Sequence, residues 1–348
     1  MTPINTALLS FGMSGEVFHA PLINAHSGFN LTTVLQRSST RAKDLYPNVK
    51  IVRQLDEVIN DKSIELVVVN TPNDTHQPYA AKALEAGKHV IVEKPFTVTT
   101  PEADSLIALA KKVGKTLTVF QSRRWDGDYL TLKRVIDNKL VGKIVEIELH
   151  YDRFRNYIEP NTWKEEAGPG KGILYNLGSH MLDQVLVMFG MPKMVDARIG
   201  TQRPGGKVDD YYDIRLQYDG FHAIVKSSYL VREPGPRYIL HGVDGSFVKY
   251  GIDLQEQALK EGKSPKSTSW AIEGKEWWGT LNTSIGSLHV EGAVETVPGN
   301  YLGFYQNVYE AVREGKALAV KPEESRDVIR LIELCYESSR LNKAVPGA

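Results

Sequence analysis

One cysteine in 348 residues, Cys335, leaves no partner for an internal disulfide and no cysteine cluster for a metal. It keeps phase with Val328, Leu331 and Ile332 on a C-terminal helical stretch, which makes it a core residue rather than a reactive one. Neither sign of charge dominates. The 42 Lys and Arg balance 42 Asp and Glu, so the electrostatic footprint of a nucleic-acid or anionic-membrane binder is missing. Apolar runs such as Leu66-Val67-Val68-Val69 fall far short of the roughly 18 residues of a spanning helix. Met1-Thr2-Pro3 opens no basic segment followed by an apolar one, so a cytoplasmic protein is expected. The nine histidines include no H-E-x-x-H or comparable ligand spacing, so no metal is expected. What remains is an ordinary globular composition, 42% hydrophobic and 24% charged, in a chain long enough for two domains.

The first 122 residues alternate between strand and helix. Short apolar runs at 4–10, 31–36, 65–70, 89–93 and 116–121 are separated by helical stretches, of which 77–86 is stopped by Gly87 and 102–113 by Gly114. Buried apolar strands alternating with helices predict a parallel sheet with crossover helices. The first strand runs into Ser10-Phe11-Gly12-Met13-Ser14-Gly15, a dinucleotide fingerprint with serine in the first glycine place. There Gly12 would let the backbone approach a pyrophosphate, Gly15 would let the helix pack on the strand, and the following helix amides would face the phosphates.

An NAD-binding fold usually carries an acidic residue about 20 positions beyond the glycines, on the ribose 2′-hydroxyl. No Asp or Glu occurs between Glu16 and Asp44; the second strand ends instead in Gln36-Arg37-Ser38-Ser39, with Arg41 beyond. A guanidinium and hydroxyls suit a 2′-phosphate, so NADP is expected, with NAD as the alternative.

Two further segments follow strands: Asn70-Thr71-Pro72-Asn73-Asp74-Thr75-His76 and Val92-Glu93-Lys94-Pro95-Phe96. With Gln121-Ser122-Arg123-Arg124-Trp125-Asp126, His150-Tyr151-Asp152-Arg153-Phe154-Arg155 and Gly172 through Asp183, they resemble the glucose–fructose oxidoreductase/inositol dehydrogenase/rhizopine catabolism (Gfo/Idh/MocA) family across nearly the whole chain. Phe18-His19-Ala20-Pro21 and the segment 241–251 are similar to the branch containing NADP-dependent scyllo-inositol dehydrogenases. The resemblance implies that Lys94 is catalytic and that Lys94-Pro95 is cis. It places Asn70, Thr71, Pro72, His76 and Glu93 with the cofactor, alongside the turn 10–15, Arg37, Ser38 and Arg41. A lysine with an ordinary pKa of about 10.4 stays protonated and can stabilise charge developing on a substrate oxygen.

From residue 123 to 348 the texture changes. Val145, Ile147, Leu149 and Tyr151 alternate with Glu146, Glu148 and His150, and Tyr212, Ile214, Leu216 and Tyr218 with Asp213, Arg215 and Gln217. This predicts a second α/β domain with a large open, mainly antiparallel sheet, covered by helices on one face. The family resemblance implies subunit contacts through the open face, hence a homodimer or higher homo-oligomer. On the predicted helix 174–189, Asn176, His180 and Asp183 are four and three residues apart and would share a face, as a merely solvated stripe also would. The resemblance makes His180 the acid/base, with Asp183 orienting it or binding substrate. Asn176 stands where an acid is usual in the family; it keeps an acceptor oxygen but no charge. Arg123, Tyr151, Arg153, Arg155 and Trp163 are further candidates for lining a sugar pocket with Lys94, Asn176, His180 and Asp183, with sheet packing and surface pairing as the alternative for Tyr151, Arg153, Arg155 and Trp163. The expected activity is hydride transfer between NADP(H) and a secondary alcohol or ketone of a sugar or cyclitol. Two alternatives are a bound nicotinamide serving as an internal redox relay for glycoside cleavage, and a non-catalytic cofactor-sensing regulator.

Overall fold

The five apolar runs of the first third and one further short segment form six parallel strands: β1 (Ile4–Leu8), β2 (Phe29–Leu35), β3 (Lys50–Val52), β4 (Leu66–Val69), β5 (His89–Val92) and β6 (Leu117–Val119). The computed structural model describes residues 2–347. The sheet order is β3-β2-β1-β4-β5-β6, the doubly wound arrangement of dinucleotide-binding domains. Every residue of β4 is buried, the result of helices covering a parallel sheet, and the reason its sequence is unbroken Leu and Val. The helix Thr100–Val113 opens on a capping box between Thr99 and Glu102, two residues before the expected start, and closes on left-handed Gly114, as its sequence predicts. The three-residue β3 carries no legible period, and sequence reasoning missed it.

This unit is not confined to residues 1–122. It comprises the described chain up to Trp125 together with Leu254–Ala271 and Asn300–Arg326. The returning helix Leu302–Glu314 presents Phe304, Tyr305 and Tyr309 to the aromatic rings of the early chain. Phe29 meets Tyr305 edge-on at 5.3 Å between centroids, and Phe120 meets Phe304 at 4.9 Å. Arg313 adds a two-pronged pair with Glu65, at 2.7 and 2.8 Å. Aromatic burial of this kind outweighs chain connectivity in deciding which unit a segment joins.

The second unit comprises Asp126–Asp253, Ile272–Gly299 and Asp327 onward. Its sheet contains β7 (Ile144–His150), β8 (Met194–Gly200), β9 (Tyr211–Tyr218), β10 (Phe221–Ser228), β11 (Tyr238–Gly242), β12 (Gly245–Lys249), β13 (Gly279–Ile285), β14 (Leu288–Val294) and β15 (Val345–Pro346). The order is β14-β13-β12-β11-β7-β10-β9-β8-β15, antiparallel except where β10 runs parallel to β7. Ile147, Leu149, Tyr212, Ile214, Leu216 and Phe247 are buried, whereas Arg215 and Gln217 are exposed, as the period of two requires; Val145, expected on the apolar face, is exposed at the start of β7, where the buried run has not yet begun. Among the described residues no helix is long and apolar enough to cross a membrane.

Candidate active site

Strands β1 and β4 are neighbours at the point where the strand order reverses, the crevice in which open α/β sheets bind ligands. Past β1 the chain turns through Ser10–Met13 into a single π-helical turn, Ser14–His19, before the helix Ala20–Ala25. Past β4, Asn70 donates from Nδ2 to the Ser10 carbonyl at 2.9 Å and ties the two strand ends together. A Cβ on Gly15 would collide with that carbonyl and stand 2.9 Å from the Asn70 amide nitrogen, so the chain itself imposes glycine. Gly12 is different, because a Cβ there would meet only the Ser10 hydroxyl, at 3.7 Å. Neither internal packing nor a left-handed φ demands glycine at position 12, which fits a phosphate approaching from outside the chain.

Two more features fit a dinucleotide. The π turn has no side-chain cap, leaving its first amides to an anion. The side-chain oxygens of Asn70 and of Gln121, the latter just past β6, are buried with no hydrogen-bond partner among the described residues, a state native proteins rarely leave unfilled. Ser10 lies outside the left-handed region, so it replaces the usual glycine without strain. Phe11 packs edge-on against Tyr46, Met13 is exposed, and the Thr71 hydroxyl is held by Thr75 at 2.6 Å. Arg37 and Ser38 are exposed after β2 and form no hydrogen bond or ion pair among the described residues. Arg41, also expected at the cofactor, pairs with Glu16, with Nε on Oε2 at 2.7 Å and Nη2 on Oε1 at 2.5 Å.

Lys94 follows β5 half-buried, and the peptide to Pro95 is cis. Its backbone N–H donates to Glu93 Oε2 at 2.9 Å, while Glu93 Oε1 lies 3.1 Å from His19 Nε2, and His19 Nδ1 lies 2.7 Å from the Tyr305 hydroxyl. Burial works to raise the Glu93 carboxyl, but the hydrogen bond from His19 and the neighbouring His19, Lys94 and His76 hold it below the usual range. His76 is fully buried, with Nδ1 2.8 Å from the Pro95 carbonyl and Nε2 2.9 Å from the Thr71 carbonyl; burial pushes its imidazole down. Glu93 and His76 thus brace the backbone around Lys94 and Thr71.

In the second unit, a π-helical turn, Leu174–Gly178, precedes the helix Ser179–Phe189. Asn176 sits in that turn, so the four-residue step to His180 does not keep α-helical phase; such insertions are frequent at functional sites. His180 and Asp183 are 7% and 2% exposed, which excludes a solvated stripe. Asp209 holds the turn in place. Its Oδ2 accepts the Leu174 N–H at 3.0 Å and its Oδ1 accepts from Tyr336 at 2.7 Å, while burial pushes its carboxyl up. Gly172 is required beside it, with φ of 92° and a Cβ position blocked by Asp209.

Asn176 Nδ2 donates to the Tyr229 hydroxyl at 3.4 Å. The guanidinium carbons of Arg203 and Arg155 lie 4.8 and 5.8 Å from the Tyr229 ring centroid. Buried Arg203 also grips both carboxylate oxygens of Glu165, at 3.0 and 2.8 Å, and Asp210 Oδ2 at 2.8 Å, fixing the turn that carries Trp163. Sequence reasoning missed Tyr229, Arg203 and Asp209, because nothing local marks which distant element a side chain will meet. Two expected substrate residues have other work. Arg123 is buried and donates from Nη2 to Glu256 at 2.5 Å. Tyr151 is 1% exposed, its ring 5.3 and 4.3 Å from the guanidinium carbons of Arg153 and Arg237.

A dinucleotide-type sheet with a lysine at the end of β5, and a second α/β unit with a buried histidine and aspartate, define the class: a nicotinamide-nucleotide-binding oxidoreductase. Residues 4–121 match the oxidoreductase family's NAD-binding Rossmann fold and residues 133–346 its C-terminal alpha/beta domain. The chain belongs to this Gfo/Idh/MocA family. It is 39% identical over 342 residues, 98% of its length and 95% of the relative's, to scyllo-inositol 2-dehydrogenase (NADP(+)) IolW of Bacillus subtilis. Among solved structures, yvaA of Bacillus subtilis superposes with a TM-score of 0.97 at 38% identity, covering 100% of this chain and 99% of that one. An oxidoreductase from Bacillus cereus superposes with a TM-score of 0.91 at 32% identity, covering 99% of each chain.

Proposed function

We propose that this protein transfers a hydride between NADP(H) and a secondary alcohol or ketone of a sugar or cyclitol. The observation that carries this is the common end of three parallel strands. β1, β4 and β5 deliver the glycine turn, Asn70 and Lys94 to one edge of one sheet. When bound, the nicotinamide supplies the hydride acceptor or donor. Lys94 Nζ donates to the substrate oxygen and balances charge developing on it. His180, whose Nδ1 is enclosed, takes or returns the hydroxyl proton at Nε2. Asn176 orients the polyol without adding charge, and Asp183, Arg155 and Trp163 complete its lining. Arg37 and Ser38, in a stretch without an acid, support NADP, and the name of the Bacillus subtilis relative supports both the cofactor and a cyclitol. The open face of the second sheet is proposed to join two copies, which light scattering on the eluted protein measures directly.

The test is a screen of polyols with NADP and of keto-sugars with NADPH, followed at the reduced-nicotinamide absorbance band. Net NADPH formation on a cyclitol or sugar is expected. Glycoside cleavage without net NADPH would establish the internal relay instead, and silence on every carbohydrate would favour a regulator.

A further inference from the structure

The loop that follows β2 is held by a residue from the strand beside it. Arg53 stands immediately after β3, the edge strand paired to β2, and one of its nitrogens, Nη1, donates to two carbonyls of that loop: Gln36 at 2.6 Å and Ser39 at 2.6 Å. A guanidinium is permanently protonated and its donors have fixed directions, so one nitrogen on two carbonyls three residues apart sets the curvature of the chain between them. The backbone behind Arg53 is itself fixed. Glu57 Oε1 accepts the N–H of Arg53 and of Gln54, each at 2.9 Å, at the start of the helix Leu55–Ile59. Inside the loop, Gln36 Oε1 accepts the Ala42 N–H at 3.0 Å and Ser39 Oγ accepts the Arg41 N–H at 3.1 Å. Gln36, Ser39 and Arg41 are therefore engaged, Arg41 also with Glu16. The residues between the two stapled carbonyls, Arg37 and Ser38, remain outward with no hydrogen bond or ion pair among the described residues.

We infer that Arg53 is a positioning residue for nucleotide selection: it holds the loop so that Arg37 and Ser38 meet the 2′-phosphate of the adenosine ribose. This rests on the proposed preference for NADP and names the device that makes the preference geometric. A loop arginine free to sample many rotamers loses much of its interaction to ordering cost, whereas one on a pinned backbone does not.

The experiment is calorimetric titration of the full-length protein with NADP and with NAD, without substrate. It covers the wild type, Arg53→Ala, Arg37→Ala and the double variant, with thermal melting of each as the folding control. Arg53→Ala is expected to lower the NADP-over-NAD preference about tenfold, the size of one or two net hydrogen bonds, with NAD affinity within about twofold of wild type. In the Arg37→Ala background, removing Arg53 is expected to change the preference by much less than tenfold, because only the Ser38 hydroxyl is then left to position. Arg53→Lys, which keeps the charge and one donor nitrogen, is expected to retain part of the preference and serves if the alanine variant fails to fold. A wild type without preference overturns the NADP reading and this inference with it. A wild-type preference that survives Arg53→Ala overturns the inference alone. An equal loss in the Arg37→Ala background also overturns it, since Arg53 would then act on the phosphate directly by charge.

Discussion

Arg123 donates to Glu256 at 2.5 Å with side chains only 7% and 14% exposed. Burial works to raise the Glu256 carboxyl, but the charge of Arg123 and the hydrogen bond and charge of Lys260 overcome it, and the group is pushed down to about 2. His89 is perturbed at another place in the same unit. Burial first, then the charge of Lys115, push its imidazole down to about 4, and its Nδ1 accepts the Thr116 N–H at 3.1 Å.

Both shifts predict acid sensitivity with a definite sign. Each group titrates lower in the folded state than in the unfolded one, so each contributes stability that is full above its unfolded pKa and lost as pH falls toward its folded value. The His89 contribution fades from about pH 6.5 to about 4, and that of Glu256 from about pH 4.5 to about 2. Urea unfolding from pH 8 to 3 is expected to show stability declining from near pH 6.5. His89→Gln, which cannot titrate, is expected to flatten the upper part of that decline; an unchanged curve would contradict the assignment.

Lys94→Ala is expected to lower turnover about 10²–10³-fold, the loss typical of one positioned electrostatic donor, while NADP affinity stays within a few-fold. Steady-state rates and a binding titration on the same preparation separate the two effects. Near-normal turnover would remove Lys94 from the mechanism.

Asn176→Asp introduces a carboxylate four residues before His180. A nearby negative charge favours the imidazolium, so the acidic limb of kcat/KM for oxidation, which needs neutral His180, is expected to move to higher pH. The comparison uses one substrate across both pH profiles. An unmoved or lowered limb would show that positions 176 and 180 are not coupled.

Lys249 is fully buried, with Nζ on Glu273 Oε2 at 2.8 Å and on the Trp277 and Tyr250 carbonyls at 2.8 and 2.7 Å. Glu273→Ala strands the ammonium without its counter-charge and is expected to cost about 3–5 kcal/mol in chemical denaturation. Pairing it with Lys249→Met removes both charges and is expected to recover much of that loss. A double variant no more stable than the single one would refute this account of the pair.

Most of the strand and helix pattern was legible because it is local chemistry. The unbroken Leu and Val of β4 required a sheet covered on both faces, Gly114 ended its helix by its left-handed backbone, and the alternation around Ile147 and Tyr212 required a half-covered sheet. The glycine turn, Asn70 and Lys94 were legible as ends of strands, and a parallel sheet necessarily puts such ends on one edge.

The partners of long polar side chains were decided only by the tertiary structure. Arg123 lies 133 residues from Glu256, Arg53 14 residues from one of its carbonyls, and Glu165 38 residues from Arg203; no periodicity connects such pairs. The same holds for the return of Tyr305 and Phe304 to the first unit, and for the π turn that shifts Asn176 out of helical phase. Backbone preference and burial period act over a few residues and are written in the sequence. A guanidinium or an aromatic ring is satisfied by whichever acceptor or ring the folded chain brings within reach, so only the fold determines whether an arginine waits for a ligand or is already held by a carboxylate.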